Sequence, residues 1–384
     1  MRPDIRLPAG AEFGSSGARR AALTLVRRFL LTSAAFADND APCAARLDPL
    51  KGGRSAAHVF ALTPCFIDDG RPAGRPVVAK IMPRAEGLRE KARYDRFVRR
   101  VLPPAGRPEL LASGATRTHA ALWFSFVGEP DGTRFDTLTD HLQRGHTAKL
   151  QLALTGFLEL VRDTWYSPVD RRRGSDISRR YLEHYFSGAR SIARAESMLR
   201  ADAARYFQAG SRRARHVIRD LEFPSPRAVL FGPVPKRPYA SCIQHGDLNS
   251  DNLFLPGNPA QVVLVDFRKT GRGHVYEDLV ALEESVRINH PPGTGSGAIL
   301  EIERRIALGV RPRRDDAYSR AILKVRKTAF RTFGDAEVTA NYHYAVAAIG
   351  LRLMHAADLT HVARARIVAS TLWAAKVLAG EPID

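Results

Sequence analysis

The chain has 384 residues, 45% of them hydrophobic and 26% charged, enough to bury a sizeable core and to build two lobes. Its net charge of +19 comes almost entirely from arginine, which outnumbers lysine by about five to one, and such a surface favours anionic partners. No uncharged apolar run is long enough to cross a membrane. Three scattered cysteines, Cys43, Cys65 and Cys242, offer neither a metal-ligand spacing nor a disulfide framework, so a reducing, cytoplasmic setting is expected.

Residues 1–20 are rich in Gly, Ser, Pro and Arg and read as a loose tail. Residues 21–37 form an apolar stretch, and Ala35-Phe36-Ala37 has the small residues of a leader cleavage site. The pair Arg27-Arg28 splits that stretch, which favours a short helix docked on the first lobe over a secretory signal. From Leu47 the pattern is strand, loop, strand. The loop holds Gly52, Gly53 and Ser55 between apolar runs, which suits backbone N–H groups lying over phosphates, although a Gly-Gly pair also makes an ordinary hairpin turn. A polar loop over 68–75 leads to Val77-Val78-Ala79-Lys80-Ile81, a strand with a single lysine near its end, and then to a helical pattern over 88–98 that carries Glu90. Two further strands, 110–114 and 120–127, run into Phe126-Val127-Gly128-Glu129-Pro130, a Gly/Pro exit that fits a hinge between lobes.

From residue 135 the chain turns helical, with Leu138 and Leu142 followed by an amphipathic run over 150–165. A basic loop, Asp170-Arg171-Arg172-Arg173-Gly174-Ser175-Asp176, reads as a solvated loop or a grip for an anion. Residues 181–221 read as helical, and 223–239 as a Pro-rich connection. The stretch that organises the rest follows: Gln244-His245-Gly246-Asp247-Leu248-Asn249-Ser250-Asp251-Asn252, a hairpin over 253–265, and Asp266-Phe267. Loop, strand, turn and strand would draw Asp247, Asn252 and Asp266 together. Phosphoryl transfer from a metal nucleotide needs such a set, with one carboxylate near the attacking hydroxyl and an amide plus a second carboxylate for magnesium. Beyond it, 277–286, 299–308, 314–330 and 342–378 read as helices. There Thr360, His361 and Trp373 are expected to pack rather than to react.

His-Gly-Asp-Leu-x-x-x-Asn followed by an apolar residue and Asp-Phe resembles the aminoglycoside phosphotransferase and choline kinase-like branch of the protein-kinase fold. The string from Asp266 to Val275, with Asp278-Leu279 and Leu282-Glu283, is similar to a bacterial group, the ternary-complex-associated kinase-like domains, linked by gene neighbourhood to conflict and signalling systems. The resemblance implies an α+β, bilobal fold: a small N-terminal antiparallel sheet lobe and a larger, mainly helical C-terminal lobe. Residues 1–46 would be a tail and helix. Residues 47–128 would form the nucleotide-binding lobe, and 129–384 the helical lobe with the loop 244–252 and Asp266.

The resemblance also assigns roles. Lys80 would hold nucleotide phosphates, paired with Glu90, with Glu86 as competitor. Gly52, Gly53 and Ser55 would cover the phosphates, and backbone near Phe126 and Gly128 would meet the adenine. Asp247 would orient the acceptor, with His245 shaping the loop rather than acting as a base. Asn252 and Asp266 would bind Mg2+, and Asp278 would accept hydrogen bonds from the loop backbone. Two departures stand out. Asn249 occupies the position of a protein-kinase lysine, which points to the small-molecule branch, and Arg268-Lys269 stand where a mobile Asp-Phe-Gly switch has glycine. The expected activity is an ATP- (or GTP-) and magnesium-dependent phosphotransferase with an alcohol or amine acceptor, on a small molecule or a protein. The alternative is a low-turnover nucleotide-binding scaffold component of a bacterial conflict or signalling complex. No basic stripe interleaved with aromatics is present, so nucleic acid is not favoured as a partner.

Overall fold

The computed structural model describes residues 4–6, 16–32, 43–50, 57–66, 71–72, 74–129, 131–167, 169–172, 176–212, 215–218, 220–233, 236–257, 261–291 and 296–382. The chain divides into two compact units, one of residues 1–136 with 254–270, the other of residues 137–253 with 271–384. The segment 254–270, read from sequence as part of the helical lobe, thus belongs with the first unit.

The first unit is built from β1 (Asp4–Arg6), α1 (Ser16–Thr32), β2 (Cys43–Pro49), β3 (His58–Phe66), β4 (Val77–Pro83), α2 (Arg84–Arg93), β5 (Leu110–Ala115) and β6 (His119–Ser125). Its sheet runs β1-β2-β3-β4-β6-β5. Strands β2 to β6 are antiparallel, and β1 adds to the edge in parallel, with Asp4 opposite Ala44 and Arg6 opposite Arg46. Part of the expected loose tail is therefore an edge strand. Its three residues carry too little alternation to announce one, and the backbone ladder of β2 supplies the pairing.

Helix α1 docks on this sheet. Ala18, Ala22, Leu25, Val26, Phe29 and Leu30 recur at helical spacing and join Leu47, Phe60, Leu62, Ile81 and Trp123 in one buried cluster. Phe29 stacks on Trp123 with ring centroids 4.8 Å apart and planes 7° from parallel. The four arginines of α1, Arg19, Arg20, Arg27 and Arg28, are exposed, so the pair that split the apolar run in sequence lies on the outer face. Helix α2 continues into a π-helical turn, Tyr94–Val98, and Cys65 on β3 is a buried free thiol.

The second unit contains α3 (Leu138–Gln143), α4 (Ala148–Val161), β7 (Asp170–Arg172), α5 (Ile177–Tyr185), α6 (Ala189–Phe207), β8 (Gly210–Arg212), β9 (Arg215–Ile218), β10 (Leu221–Phe223), α7 (Pro226–Phe231) and β11 (Tyr239–Gln244). A short ribbon, β12 (Leu253–Phe254) and β13 (Val263–Leu264), follows in the chain. Then come β14 (Gly271–His274), α8 (Glu277–Asn289), α9 (Ser296–Ala307), α10 (Ala317–Phe333), α11 (Thr339–Leu353) and α12 (His361–Leu378). Helices α11 and α12 are buried on nearly every side and form the centre of this unit. Thr360 is exposed and caps α12, and the buried Trp373 indole packs inside the unit, donating to the Leu300 carbonyl at 2.9 Å.

The helix expected over 181–221 is corrected. It breaks after Tyr185 and ends at Phe207, where Gln208 takes a left-handed conformation (φ 57°) as C-cap, and an antiparallel β8-β9-β10 meander follows. Gly210 and the β-branched pair Val217-Ile218 suit that meander better than a helix. The Pro-rich connection likewise holds α7, which Ser225 caps and which starts on Pro226. The basic loop begins as β7, paired with the start of β11.

Candidate active site

In the first unit β4 delivers Lys80 to a buried position. Its Nζ lies 2.8 Å from Glu90 Oε1 and 2.8 Å from Asp266 Oδ1, a contact that spans 186 residues of sequence. Helix α2 presents Glu90 inward between exposed Arg89 and half-buried Lys91. The competitor Glu86 instead faces Arg268, at 3.9 Å. Burial alone would lower the Lys80 pKa, but Asp266 and Glu90 outweigh it and the ammonium titrates above its ordinary value. Burial pushes the Glu90 carboxyl up in spite of the lysine beside it.

Asp266 has φ 61° and ψ 69°, a left-handed conformation that costs a non-glycine residue about 1–3 kcal/mol. The segment after it is pinned. Phe267 packs edge-on to Tyr94 at 5.8 Å, the Tyr94 hydroxyl donates to the Pro108 carbonyl at 2.7 Å, and the Arg93 guanidinium donates to the Arg268 carbonyl. Where a glycine switch would sit, Phe267–Lys269 is a single 3-10 turn tied to α2.

Phe126 is half-buried just past β6, and Gly128 bridges to Arg134. A Cβ on Gly128 would come within 2.3 Å of the Thr133 carbonyl oxygen and 2.8 Å of Arg134 Cα, so only glycine allows this close approach. Gly52, Gly53 and Ser55 lie outside the described residues.

The second unit holds the loop 244–252. Strand β11, between β7 and β14, leads into it. The Asp278 carboxylate closes its start, accepting from the His245 N–H at 2.7 Å and the Gly246 N–H at 2.9 Å, while the Asp278 N–H donates to Gln244 Oε1 at 3.0 Å. Gly246 sits at φ 78°, which explains glycine there. Burial raises the Asp278 pKa to about 7, against the pull of the two backbone donors. His245 is fully buried, with its ring 6.2 Å from that of Trp165.

Asp247 is half-buried, and its carbonyl accepts from the Asn249 N–H and from the Asn252 side-chain amide, both at 2.8 Å. The Asn252 nitrogen is thereby spent on the loop, and its oxygen is the atom left for a ligand. Lys80, Glu90 and Asp266 are thus brought together in one unit, and His245, Asp247, Asn252 and Asp278 in the other. Among the described residues no cluster of three or more His, Cys, Asp or Glu forms a metal cage. Sequence reading missed Ser250, Thr139, Ser285 and Asn289, which hold the loop from below; three of the four lie on helices whose facing is invisible until their boundaries are known.

The sequence model of the phosphotransferase enzyme family matches residues 47–295, more than half of the chain. The chain belongs to this family. Among curated proteins no match is found. Among solved structures, this family member is similar to aminoglycoside phosphotransferase APH(3'')-Id from Streptomyces rimosus, with 17% identity, 80% of this chain and 91% of that chain covered, and a TM-score of 0.40. It is also similar to a thermostable mutant of aminoglycoside phosphotransferase APH(4)-Ia in ternary complex with ADP and hygromycin B, with 11% identity, coverage of 86% and 94%, and a TM-score of 0.47. A third is Plasmodium vivax ethanolamine kinase, with 8% identity, coverage of 97% and 93%, and a TM-score of 0.42. In architecture this phosphotransferase joins an antiparallel sheet unit to a mainly helical one. No helix among its described residues is long and apolar enough to cross a membrane.

Proposed function

We propose that this phosphotransferase uses ATP and magnesium to phosphorylate a hydroxyl or amine on a small molecule. The observation that carries the reading is the buried lysine bridged to Glu90 and Asp266 in a chain that matches the family. A lysine held this way keeps its charge and points it at one place, as a phosphate-binding group must. Asp266 offers a carboxylate and Asn252 a free amide oxygen, the hard donors magnesium takes, and one or two such groups beside nucleotide phosphates meet its needs without a protein cage. When bound, magnesium neutralises charge on the transferring phosphoryl group.

Asp247 orients the acceptor hydroxyl by accepting its proton in a hydrogen bond, and it needs no unusual basicity because positioning supplies most of the acceleration. Asn249, in place of a protein-kinase lysine, supports a small-molecule acceptor. The test is transfer from radiolabelled ATP to a metabolite pool by wild type, Asp247→Ala and Asp266→Ala. Labelled product from wild type, and at least about 100-fold less from either variant, is expected. Equal labelling by all three contradicts the reading.

A second reading, a nucleotide-binding component of a bacterial signalling complex with little turnover, draws on the similarity of the string from Asp266 to Val275. Magnesium-dependent ATP binding without transfer, together with a stable co-purifying protein, would favour it.

A further inference from the structure

Ser250 lies three residues after Asp247 and two before Asn252, and it is fully buried between half-buried Asn249 and exposed Asp251. Its N–H donates to Ser285 Oγ at 3.1 Å. Its Oγ accepts from the Asn289 side-chain amide at 3.1 Å and lies 2.6 Å from the Thr139 hydroxyl. One serine is thus bolted to helix α3 through Thr139 and to helix α8 through Ser285 and Asn289.

Helix α8 also supplies Asp278, which takes the N–H groups of His245 and Gly246. Asp278, Ser285 and Asn289 are spaced by seven and then four residues, which at about 3.6 residues per turn sets them along one stripe of the helix. The other side of α8 is anchored in the unit's interior. There Arg287 meets Glu303 on α9, and Glu283 meets Arg326 on α10, all four buried. The stripe therefore cannot rotate or slide without breaking buried ion pairs.

From Asp247 to Asn252, on both sides of Ser250, the loop closes on itself. The Asn252 amide and the Asn249 N–H both bind the Asp247 carbonyl, the Asn252 N–H donates to the Asn249 carbonyl at 3.1 Å, and Asn249 Oδ1 accepts from the Asp251 N–H at 3.0 Å. With both ends held by one helix, the positions of Asp247 and Asn252 follow from that helix.

We propose that Ser250, Ser285 and Asn289 are positioning residues that, with Asp278, make α8 the ruler setting the placement of Asp247 and the metal-facing amide of Asn252. The inference rests on the proposed phosphotransferase reading for its effect on turnover, but not for its effect on the loop. None of the three is expected to touch a substrate.

The experiment compares the full-length wild type with Ser250→Ala, Asn289→Ala and Ser285→Thr, the last keeping the accepting hydroxyl. Hydrogen exchange over residues 245–252 reads the loop directly. It is expected to quicken at least about tenfold in Ser250→Ala and Asn289→Ala, and to stay near wild type in Ser285→Thr. In turnover with ATP, the first two variants are expected to lose about tenfold or more in kcat and to need several times more magnesium for half-maximal rate, with KM for the nucleotide changed less than twofold. A variant that only melts earlier, with unchanged loop exchange, kcat and magnesium dependence, overturns the proposal. If wild type shows no turnover, the phosphotransferase reading fails while loop exchange still decides the clamp. Unchanged exchange in Ser250→Ala then refutes it.

Discussion

Lys80 cannot be exchanged for a neutral side chain without two separate consequences. Removing it withdraws the charge proposed to hold phosphates, and it leaves Glu90 buried without its counter-ion, with Oε2 already lacking a hydrogen-bond partner. Lys80→Met is therefore expected to lower turnover by about 100-fold or more, and to lower the melting temperature, because breaking a buried pair costs about 3–5 kcal/mol. Wild-type turnover in Lys80→Met contradicts the role given to the lysine. Asp278 makes a pH prediction. Its folded pKa of about 7 lies above the ordinary 3.8, so between those values the folded chain holds a proton that the unfolded chain releases. The stability this proton confers is complete below about pH 4 and is lost as pH rises to about 7. Melting curves from pH 4 to 8 should show a steeper fall for wild type than for Asp278→Asn; parallel curves would contradict the shift. At this scale the sequence was readable where chemistry fixes residue type and spacing, as with the expected pairing of Lys80 with Glu90. It was silent on Ser250 and Asn289, because serine and asparagine in a loop and at a helix end look like ordinary surface residues until their facing is known.

Among the elements, α1 and α8 do different work. Helix α1 completes the sheet's core, and Phe29→Ala, which removes the ring stacked on Trp123, is expected to cost about 3–5 kcal/mol by thermal or denaturant unfolding. A loss below 1 kcal/mol would mean that the helix is only loosely docked. Helix α8 runs through a buried network of three carboxyls, Glu283, Glu284 and Glu303, and two guanidiniums, Arg287 and Arg326. One negative charge is in excess, and the geometry says where it is relieved. Burial raises Glu284 to about 8, whereas Arg326 and Arg287 overcome burial at Glu283 and hold it down at about 2. A proton on Glu284 makes the network neutral, and the stability it brings is present below about pH 4.5 and lost as pH rises to about 8. Glu284→Gln, which mimics the protonated acid, should therefore melt above wild type at pH 8.5 and level with it at pH 5. A constant difference across that range would contradict the assignment. Amphipathic spacing made most helices legible, α1 included. The β8-β9-β10 meander was not, because its arginine-rich lead-in extends the helical pattern of α6, and a left-handed Gln208 gives no composition signal.

For the whole molecule, family membership and the two-unit architecture rest on different observations, a matched sequence model and a sheet followed by helices. The net charge of +19 adds a general attraction for anions but no specificity, since the arginines of α1 point outward and those of the α8 network are neutralised. The most direct test separates binding from transfer in a single pair of proteins. Magnesium-ATP affinity and phosphoryl transfer are measured for wild type and Asp247→Ala side by side. Affinity equal within about twofold and transfer lower by at least about 100-fold in the variant is the result expected of an acceptor-orienting carboxylate. Transfer that survives the substitution, or wild-type protein that binds no magnesium-ATP, would contradict the account.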